Sequence, residues 1–232
     1  MKSLLVALMT LILLGTGAEA ASEKARFDVY LQGQKQGDLR VQGREKGAKY
    51  SAELRLKIKG DMPFTVEAKV QGQLVDAAYV PVKYTEKRTD ADGKTGVTIT
   101  YPEADGPPSV ARRGEAAPHW LMPEAGTGLA DPATVLWQLM QSRLPEAACN
   151  LDLRMFDGAR ILRLRTLEPA PRGPSITCNG NLFREKGFSD EELEVFDIVN
   201  FVIEYAPVRG GLMQTSRINL DLPQGRVILV RR

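Results

Sequence analysis

The stretch KYSAELRLKIKG, residues 49–60, alternates apolar and charged side chains and decides the fold. Leu54, Leu56 and Ile58 share one face of an extended chain, and the Arg and Lys residues between them share the other. Because successive side chains of a β-strand point to opposite faces, this period of two predicts a strand with one buried and one solvated face.

The same alternation recurs along the rest of the chain, where Gly, Asp and Pro residues typical of turns separate the runs. The clearest further runs are RFDVYLQ (26–32), GVTITY (96–101), RINLDLP (217–223) and RVILVRR (226–232). Short strands at this spacing favour a mainly β fold over βαβ units. We therefore expect a large antiparallel sheet that forms a curved sandwich or an open half-barrel, with strands from both halves of the chain.

One segment has a helical period instead, the stretch DPATVLWQLMQSRL at 131–144. Asp131 suits an N-cap and Pro132 suits the first helical position. The apolar stripe of this predicted helix consists of Val135, Leu136, Leu139 and Met140. We expect a helix over about 131–144 that packs on the open face of the sheet.

A second helical signal stands in SDEELEVFDIVN, residues 189–200. Ser189 is a suitable N-cap for a short helical turn. The chain then alternates again through Phe201, Ile203 and Tyr205, which predicts a strand.

The first twenty residues have the pattern of a secretory signal peptide. Lys2 precedes a largely apolar run from Leu4 to Leu14, and Ala18-Glu19-Ala20 offers a small-residue site for cleavage after Ala20. The run is too short for a bilayer core of about 30 Å. We expect residues 21–232 to form a single mainly β domain without a transmembrane segment, exported to a bacterial periplasm; a eukaryotic secreted protein is the less favoured alternative.

The two cysteines, Cys149 and Cys178, are expected to form a disulfide, since an oxidising compartment makes that pairing the default. A catalytic thiol would need a nearby base, and the sole histidine, His119, is far away in sequence. A zinc site would need four ligands, and C-x-x-C spacing is absent.

Asp157-Gly158 predicts a two-residue type I′ hairpin turn between two strands. Pairing outward from this turn places Leu153 opposite Leu162, Leu151 opposite Leu164, and Asp152 opposite Arg163. It also brings Cys149 near Thr166, and a third strand with Ile176 and Cys178 is expected beside the hairpin.

A loop at about 102–130 is rich in Pro and Gly and has no periodicity. It contains His119, Trp120, Leu121 and Met122, which form a candidate flap over a ligand cavity. The alternative is a segment that packs its own aromatic residue on the surface. Long loops of this kind within a domain are usually functional or disordered.

Composition and motifs give no catalytic chemistry. The chain is 43% hydrophobic and 26% charged with a net charge of +2, which gives no support for nucleic-acid binding. Motifs for serine hydrolases, zinc proteases and nucleotide binding are absent, so we predict no enzyme, no catalytic residue, no cofactor and no metal site. The acidic run 190–194 is typical of a solvated face. Arg154, Arg163 and Arg165 are either a small basic patch for anionic head groups or ordinary outward strand positions.

The order of four features resembles exported bacterial proteins that share the domain of unknown function numbered 3108. These features are the D-P-x-T helix start at 131–134, a cysteine at the head of a strand, the stretch MFDGARILRL (155–164) and the second cysteine at 178. The resemblance extends over most of residues 21–232, and its specific part lies within 131–180. Two departures argue against giving a role to any one arginine: Ala159 stands where an arginine is common, and GLMQTSRINL (211–220) lacks the usual late proline.

The resemblance implies export and a mainly antiparallel β fold, and it assigns no activity. The predicted sheet also resembles, at the level of fold alone, the curved half-barrels of periplasmic lipid and lipoprotein carriers. Our leading hypothesis is a non-enzymatic binder of an apolar or lipid-like ligand in the cell envelope. The alternative is an envelope interaction or scaffold protein that binds a protein partner through a sheet edge.

Overall fold

The structure is a computed structural model that describes residues 22–60, 62–102, 106–124 and 128–232. The predicted signal peptide and its cleavage site after Ala20 lie outside these residues. The strands are β1 Ser22–Leu31, β2 Gln34–Lys46, β3 Lys49–Ile58, β4 Phe64–Val75, β5 Ala78–Asp90, β6 Gly93–Thr100, β7 Ser109–Arg113, β8 Asp152–Phe156, β9 Ile161–Arg172, β10 Ser175–Lys186, β11 Ile198–Pro207, β12 Met213–Leu222 and β13 Gly225–Arg231. The helices are α1 Pro132–Met140 and α2 Asp190–Val195, with 3₁₀ turns at Pro145–Ala147 and Arg209–Gly211.

All thirteen strands belong to one antiparallel sheet, in the order β7-β6-β5-β4-β3-β2-β1-β13-β12-β11-β10-β9-β8. Neighbouring strands of the sheet also follow one another in the chain, except at the centre, where β1 pairs with β13 from Phe27↔Arg231 to Leu31↔Val227. The prediction of a large, open, mainly β sheet with strands from both halves is confirmed. The sheet is one layer that curves rather than a sandwich of two sheets.

The decisive stretch 49–60 forms β3 between β2 and β4. Leu54 lies opposite Val41 on one side and Ala68 on the other, and all three are buried. The outward residues form cross-strand ion pairs, such as Lys69 Nζ with Glu53 Oε1 at 2.8 Å. The period-two pattern therefore separates core from solvent as predicted.

The sheet curls until its two edges approach each other. Arg112 of β7 donates a hydrogen bond to the carbonyl of Gly158, in the turn after β8. Gly158 has φ +98° and faces Val97 of β6 so closely that a Cβ at this position would lie 2.6 Å from Val97 Cγ2. Within the described ranges β7 and β8 do not pair, so the sheet stays open.

The segment before α1 covers the free edge of β8. The amide of Ala130 donates to the carbonyl of Arg154 at 3.0 Å, and the amide of Phe156 donates to the carbonyl of Ala130 at 2.9 Å. This bridge is parallel and isolated. It fixes the start of α1 inside the curve of the sheet.

Helix α1 begins as predicted and ends early. Asp131 Oδ1 accepts hydrogen bonds from the amides of Ala133 and Thr134, at 2.9 and 3.0 Å. The helix ends at Met140, not at 144, because Arg143 exchanges two backbone hydrogen bonds with Met213. In addition, residue 144 precedes a proline, which disfavours helical backbone.

Helix α1 is buried on more than its predicted stripe. Trp137 is only 2% exposed, and it packs so closely on Gly43 that a Cβ there would lie 2.7 Å from its ring. The helix therefore lies within the curved sheet, in contact with strands from both of its halves.

The predicted loop at about 102–130 is wrong in one part, because it contains β7, which pairs with β6 from Gly96↔Arg113 to Thr100↔Ser109. The alternating stretch that forms β7 is only five residues long and lies next to prolines. The predicted short helix is confirmed: Ser189 caps α2 in a capping box with Glu192.

The predicted hairpin forms with a different turn and register. Leu153 lies opposite Leu164 and Asp152 opposite Arg165. The three predicted pairings, Leu153 with Leu162, Leu151 with Leu164 and Asp152 with Arg163, are therefore wrong. The reason is the Asp157 carboxylate, which accepts hydrogen bonds from the amides of Ala159 and Arg160 and closes a wider loop. Because this shift of register preserves the alternation, each side chain of the hairpin remains on the face of the sheet that was predicted for it.

The predicted pairing of Cys149 with Cys178 is present in the structure. The Sγ atoms lie at bonding distance, the Cα atoms are 5.4 Å apart, and neither cysteine is free. Cys149 precedes β8, and its carbonyl accepts a hydrogen bond from Thr166 of β9, as the predicted neighbourhood requires. The cross-link joins this segment to β10.

Candidate functional site

An apolar cavity of about 220 Å³ lies between α1 and the inner face of strands β8 to β13, and Leu39 of β2 also belongs to its lining. Its lining consists of Leu39, Pro132, Val135, Leu136, Leu139, Met140, Met155, Leu164, Leu182, Phe201, Ile203, Ile218, Leu220 and Leu229. All these side chains are hydrocarbon, thioether or aromatic. The cavity is our candidate functional site.

The sheet side of the cavity is built from cross-strand rows. Ile203 lies opposite Ile218, and Ile218 lies opposite Leu229, so three strands contribute one continuous apolar row. On the neighbouring strands, Leu164 lies opposite Leu182. Directly opposed side chains of antiparallel strands stand about 5 Å apart, so the side chains within each row pack against one another.

The helix side of the cavity is the predicted apolar stripe. Each of its four members lines the cavity, together with Pro132. The C-terminal end of the helix is fixed by β12, since the buried Thr215 hydroxyl donates to the carbonyl of Leu139 at 2.5 Å. The helix thus provides a preformed inner wall.

The lining determines what the cavity can hold. Without a polar side chain, it offers no hydrogen-bond partner to a polar ligand group, and burying such a group unpaired is unfavourable. A cavity of roughly 150 Å³ with a Leu, Ile and Phe lining is enough to hold benzene, whereas drug-sized ligands occupy about 300 Å³ or more. The cavity therefore suits a small hydrocarbon group or a short segment of alkyl chain.

The partly exposed residues of the lining mark where the cavity opens to solvent; they are Pro132, Leu136, Met155, Leu182, Leu220 and Leu229. Further along β10, the Arg184 guanidinium stacks 3.6 Å from the ring centre of Phe196. Its Nη1 donates to the carbonyl oxygens of Glu192 and Phe196, at 2.5 and 3.1 Å.

The four candidate flap residues lie beside the turn at 157–160. His119 Nε2 is 3.3 Å from Glu192 Oε2, and Trp120 stacks under the Arg112 guanidinium at 4.7 Å. The Leu121 amide donates to the carbonyl of Ala159 at 2.9 Å, while Met122 is 51% exposed. The four are not among the lining residues of the cavity, and a flap role stays a prediction.

A buried polar cluster lies around the N-cap of α1. Thr134 Oγ1 donates to Asp131 Oδ2 at 2.6 Å and shares a 2.8 Å hydrogen bond with the Tyr50 hydroxyl. Burial raises the pKa of Asp131 to about 6. Two further, partly buried acids, Glu86 and Asp157, have pKa values raised mainly by desolvation. The helix cap was the only signal in the sequence for this cluster.

The arginines considered as a basic patch occupy outward strand positions. Arg163 binds Asp152 through two hydrogen bonds, and Arg154 binds Glu185 at 2.7 Å. Paired cations of this kind have less charge to offer an anionic head group.

Across the described residues, no group of three or more His, Cys, Asp or Glu side chains is placed to hold a metal ion. Of the helices in the described part of the chain, none combines the length and the apolar character that crossing a membrane requires.

Together, the fold and the site define an open, curved antiparallel sheet that wraps one buried helix and encloses an apolar cavity. A solved structure of similar architecture is the crystal structure of a beta-barrel-like protein of the domain of unknown function DUF1849 from Brucella abortus. The two sequences are 10% identical, the match covers 90% of this chain and 94% of that chain, and the TM-score is 0.49. No family model matches the chain, and no curated protein matches its sequence.

Proposed function

We propose that this protein is a non-enzymatic binder of an apolar or lipid-like ligand in the bacterial cell envelope. The observation that carries the proposal is the wholly apolar lining of the cavity between α1 and strands β8 to β13. A preformed cavity with such a wall favours hydrocarbon, because transfer of apolar surface out of water is favourable by about 25 cal/mol per Å².

The proposed location is the periplasm. The N-terminal sequence has the pattern of a signal peptide. The pairing of Cys149 with Cys178 fits an oxidising compartment. Membership of the family that shares the domain of unknown function numbered 3108 is part of the proposal, and it rests on the resemblance within residues 131–180.

Binding without catalysis is supported by the chemistry of the site. The lining side chains cannot exchange a proton or attack a carbonyl group. Asp131, a buried carboxylate, directly precedes the lining residue Pro132 in the chain. It accepts hydrogen bonds from two backbone amides and the Thr134 hydroxyl, so it acts as a helix cap.

A fluorescence titration with the neutral probe N-phenyl-1-naphthylamine tests this proposal. Leu182→Trp places a larger side chain in the cavity near its mouth, whereas Phe183→Trp adds comparable bulk on the opposite face of β10 and is the matched control. We expect saturable binding to the wild type and to Phe183→Trp, and a loss of at least about tenfold in affinity, or about 1.4 kcal/mol, for Leu182→Trp. A wild-type protein that leaves the probe in water, or equal binding to both variants, would contradict the proposal.

The alternative is a scaffold protein that pairs with a partner through a sheet edge. It is favoured by β7, whose outer side pairs with no other strand in the described ranges. The edge of β8, in contrast, is partly covered by Ala130. A co-purifying envelope protein that is lost on Val110→Pro, together with no probe binding, would favour this alternative.

A further inference from the structure

We infer that the ligand is a single-chain amphiphile with an anionic head group, and that Arg184 binds this head group at the mouth of the cavity. The inference rests on the proposed function and adds the class of ligand. Its support comes from the position of Arg184, the stacking and hydrogen bonds of its guanidinium group, the charges around it and the size of the cavity.

Arg184 belongs to the face of β10 that lines the cavity. Leu182 lines the cavity, and Arg184 follows two positions later, before the irregularity in β10 that separates Arg184 from Lys186. Side chains two positions apart share one face of a strand, about 6 to 7 Å apart. Leu162, opposite Arg184, is in turn opposite the cavity residue Met155. Arg184 therefore adjoins the wall of the cavity.

The guanidinium of Arg184 is held in place and keeps donors free. Its Cζ atom lies over the ring of Phe196 at 3.6 Å and over the ring of Phe188 at 4.7 Å from the ring centres. Nη1 makes both of its hydrogen bonds, so within the described ranges Nε and Nη2 have no hydrogen-bond partner. Burial lowers the pKa of Arg184. A fixed guanidinium edge matches the two oxygens of a carboxylate or phosphate, and an anion would offset its desolvation.

On balance, the charges near Arg184 favour the binding of an anion. Glu192 is already engaged by Arg160, by the amide of Ser189 at 2.9 Å and by His119. Its pKa is lowered, first by the hydrogen bond from the amide of Ser189 and then by the positive charges of Arg160 and Arg184. The other acids of this segment, at 190, 191, 194 and 197, are at least partly exposed, and salt screens such charges within about 8 to 10 Å.

The size of the cavity favours one chain. A volume of about 220 Å³ lies between the roughly 150 Å³ that is enough to hold benzene and the roughly 300 Å³ or more of sites for drug-sized ligands. The cavity thus encloses part of a single alkyl chain, and it has no room for both chains of a phospholipid.

Displacement of N-phenyl-1-naphthylamine by two ligands of equal chain length, octanoate and 1-octanol, tests the inference. We expect the wild type to bind octanoate at least about fivefold more tightly than 1-octanol, with a preference that decreases as salt is raised. Arg184→Gln should abolish the preference and keep 1-octanol binding. Arg163→Gln is the matched control, because it removes an arginine that already pairs with Asp152 outside the cavity, and it should change neither ligand.

The outcomes separate this inference from the proposed function. Equal affinities for octanoate and 1-octanol in the wild type would overturn the anionic head group and leave the apolar binding proposal intact, whereas failure of the probe itself would overturn both. Octyl phosphate in place of octanoate distinguishes a phosphate from a carboxylate head, and either supports the inference. Displacement by inorganic phosphate alone would contradict an amphiphile. Because the wild-type preference needs no variant, the test holds even if Arg184→Gln disturbs the folding of α2.

Discussion

Gly180 lies directly opposite Phe201 across β10 and β11, and the phenyl ring fills the space that a side chain at position 180 would need. A Cβ at position 180 would lie 2.3 Å from Cζ of Phe201 and 2.6 Å from the carbonyl oxygen of Arg165. The glycine thus allows Phe201 to lie along the inner wall of the cavity.

Gly180→Ala is expected to destabilise the protein and to weaken probe binding. The added methyl group overlaps both a ring and a rigid backbone oxygen, so we expect a decrease of about 1 to 3 kcal/mol in the free energy of unfolding. Urea unfolding measures the decrease. Asn179→Ala, at the exposed outward position next to it, should change the free energy by less than about 0.5 kcal/mol. Equal stability of the two variants would show that the ring moves freely.

Removing the disulfide is expected to lower stability substantially. The bond between Cys149 and Cys178 spans a sequence separation of 29 residues, and a loop of this size is worth about 3 to 4 kcal/mol on the chain-entropy model. Urea unfolding of the Cys149→Ala/Cys178→Ala double variant, compared with the oxidised wild type, measures this difference. Intact mass after alkylation without reductant provides the check: exported protein should show no free thiol, and two alkylated cysteines would refute the bond.

Asp131 is expected to make stability depend on pH in a direction opposite to most carboxylates. Its pKa is raised to about 6 in the folded protein, mainly by burial, from an ordinary value of 3.8. The folded state therefore binds the proton more tightly than the unfolded state. The resulting stabilisation is complete below about pH 4 and is lost as the pH rises through 6.

Asp131→Asn isolates this effect, because asparagine is also a good N-cap and does not titrate. From pH 4 to pH 7, the free energy of unfolding of the wild type should decline relative to that of Asp131→Asn by on the order of 3 kcal/mol. Chemical unfolding at several pH values measures the difference. The other two acids with raised pKa values, Glu86 and Asp157, are present in both proteins, so their contributions cancel. Parallel pH profiles for the two proteins would contradict the prediction.

Ser189→Ala is expected to loosen α2 without unfolding the sheet. The Ser189 hydroxyl accepts a hydrogen bond from the Glu192 amide at 3.2 Å, and the loss of such a cap costs about 1 kcal/mol. Hydrogen exchange at the Glu192 amide should become roughly fivefold faster, while exchange in the β3 core should be unchanged. Ser109→Ala, at an exposed position on β7, serves as the control. Unchanged exchange at Glu192 would mean that the contacts of Arg184 alone hold the segment.

Local patterns in the sequence predicted most of the strands and both helix starts, because alternation and capping depend on neighbouring residues, but they missed β7 within the predicted loop. The helix end at Met140 could not be predicted, since it depends on Arg143 meeting Met213, far along the chain. The predicted register of the β8–β9 hairpin was wrong. The Asp157 side chain accepts hydrogen bonds from two amides and closes a wider turn than the two-residue turn that was predicted.

The candidate site was only partly accessible from sequence. The stripe on α1 was correct in every member, yet the cavity is an unfilled space whose existence depends on how far the sheet curves around that stripe. The role proposed for Arg184 needed the pairing of β9 with β10 and the fold of the segment over it. The spacing in the sequence puts this arginine on the same strand face as Leu182, but no pattern in the sequence indicates a cavity beside it.

The pairing of β1 with β13 joins two series of strands that otherwise pair in chain order. If Arg232 were linked to Ser22 and the backbone were cut before α1, every strand would pair with the next one along, from β8 through to β7. The native connectivity is thus a rotated version of a plain up-and-down ribbon, with one distant closure in place of a hairpin. Since loop closure over a long span slows assembly, that seam is where we expect the last and slowest step of folding.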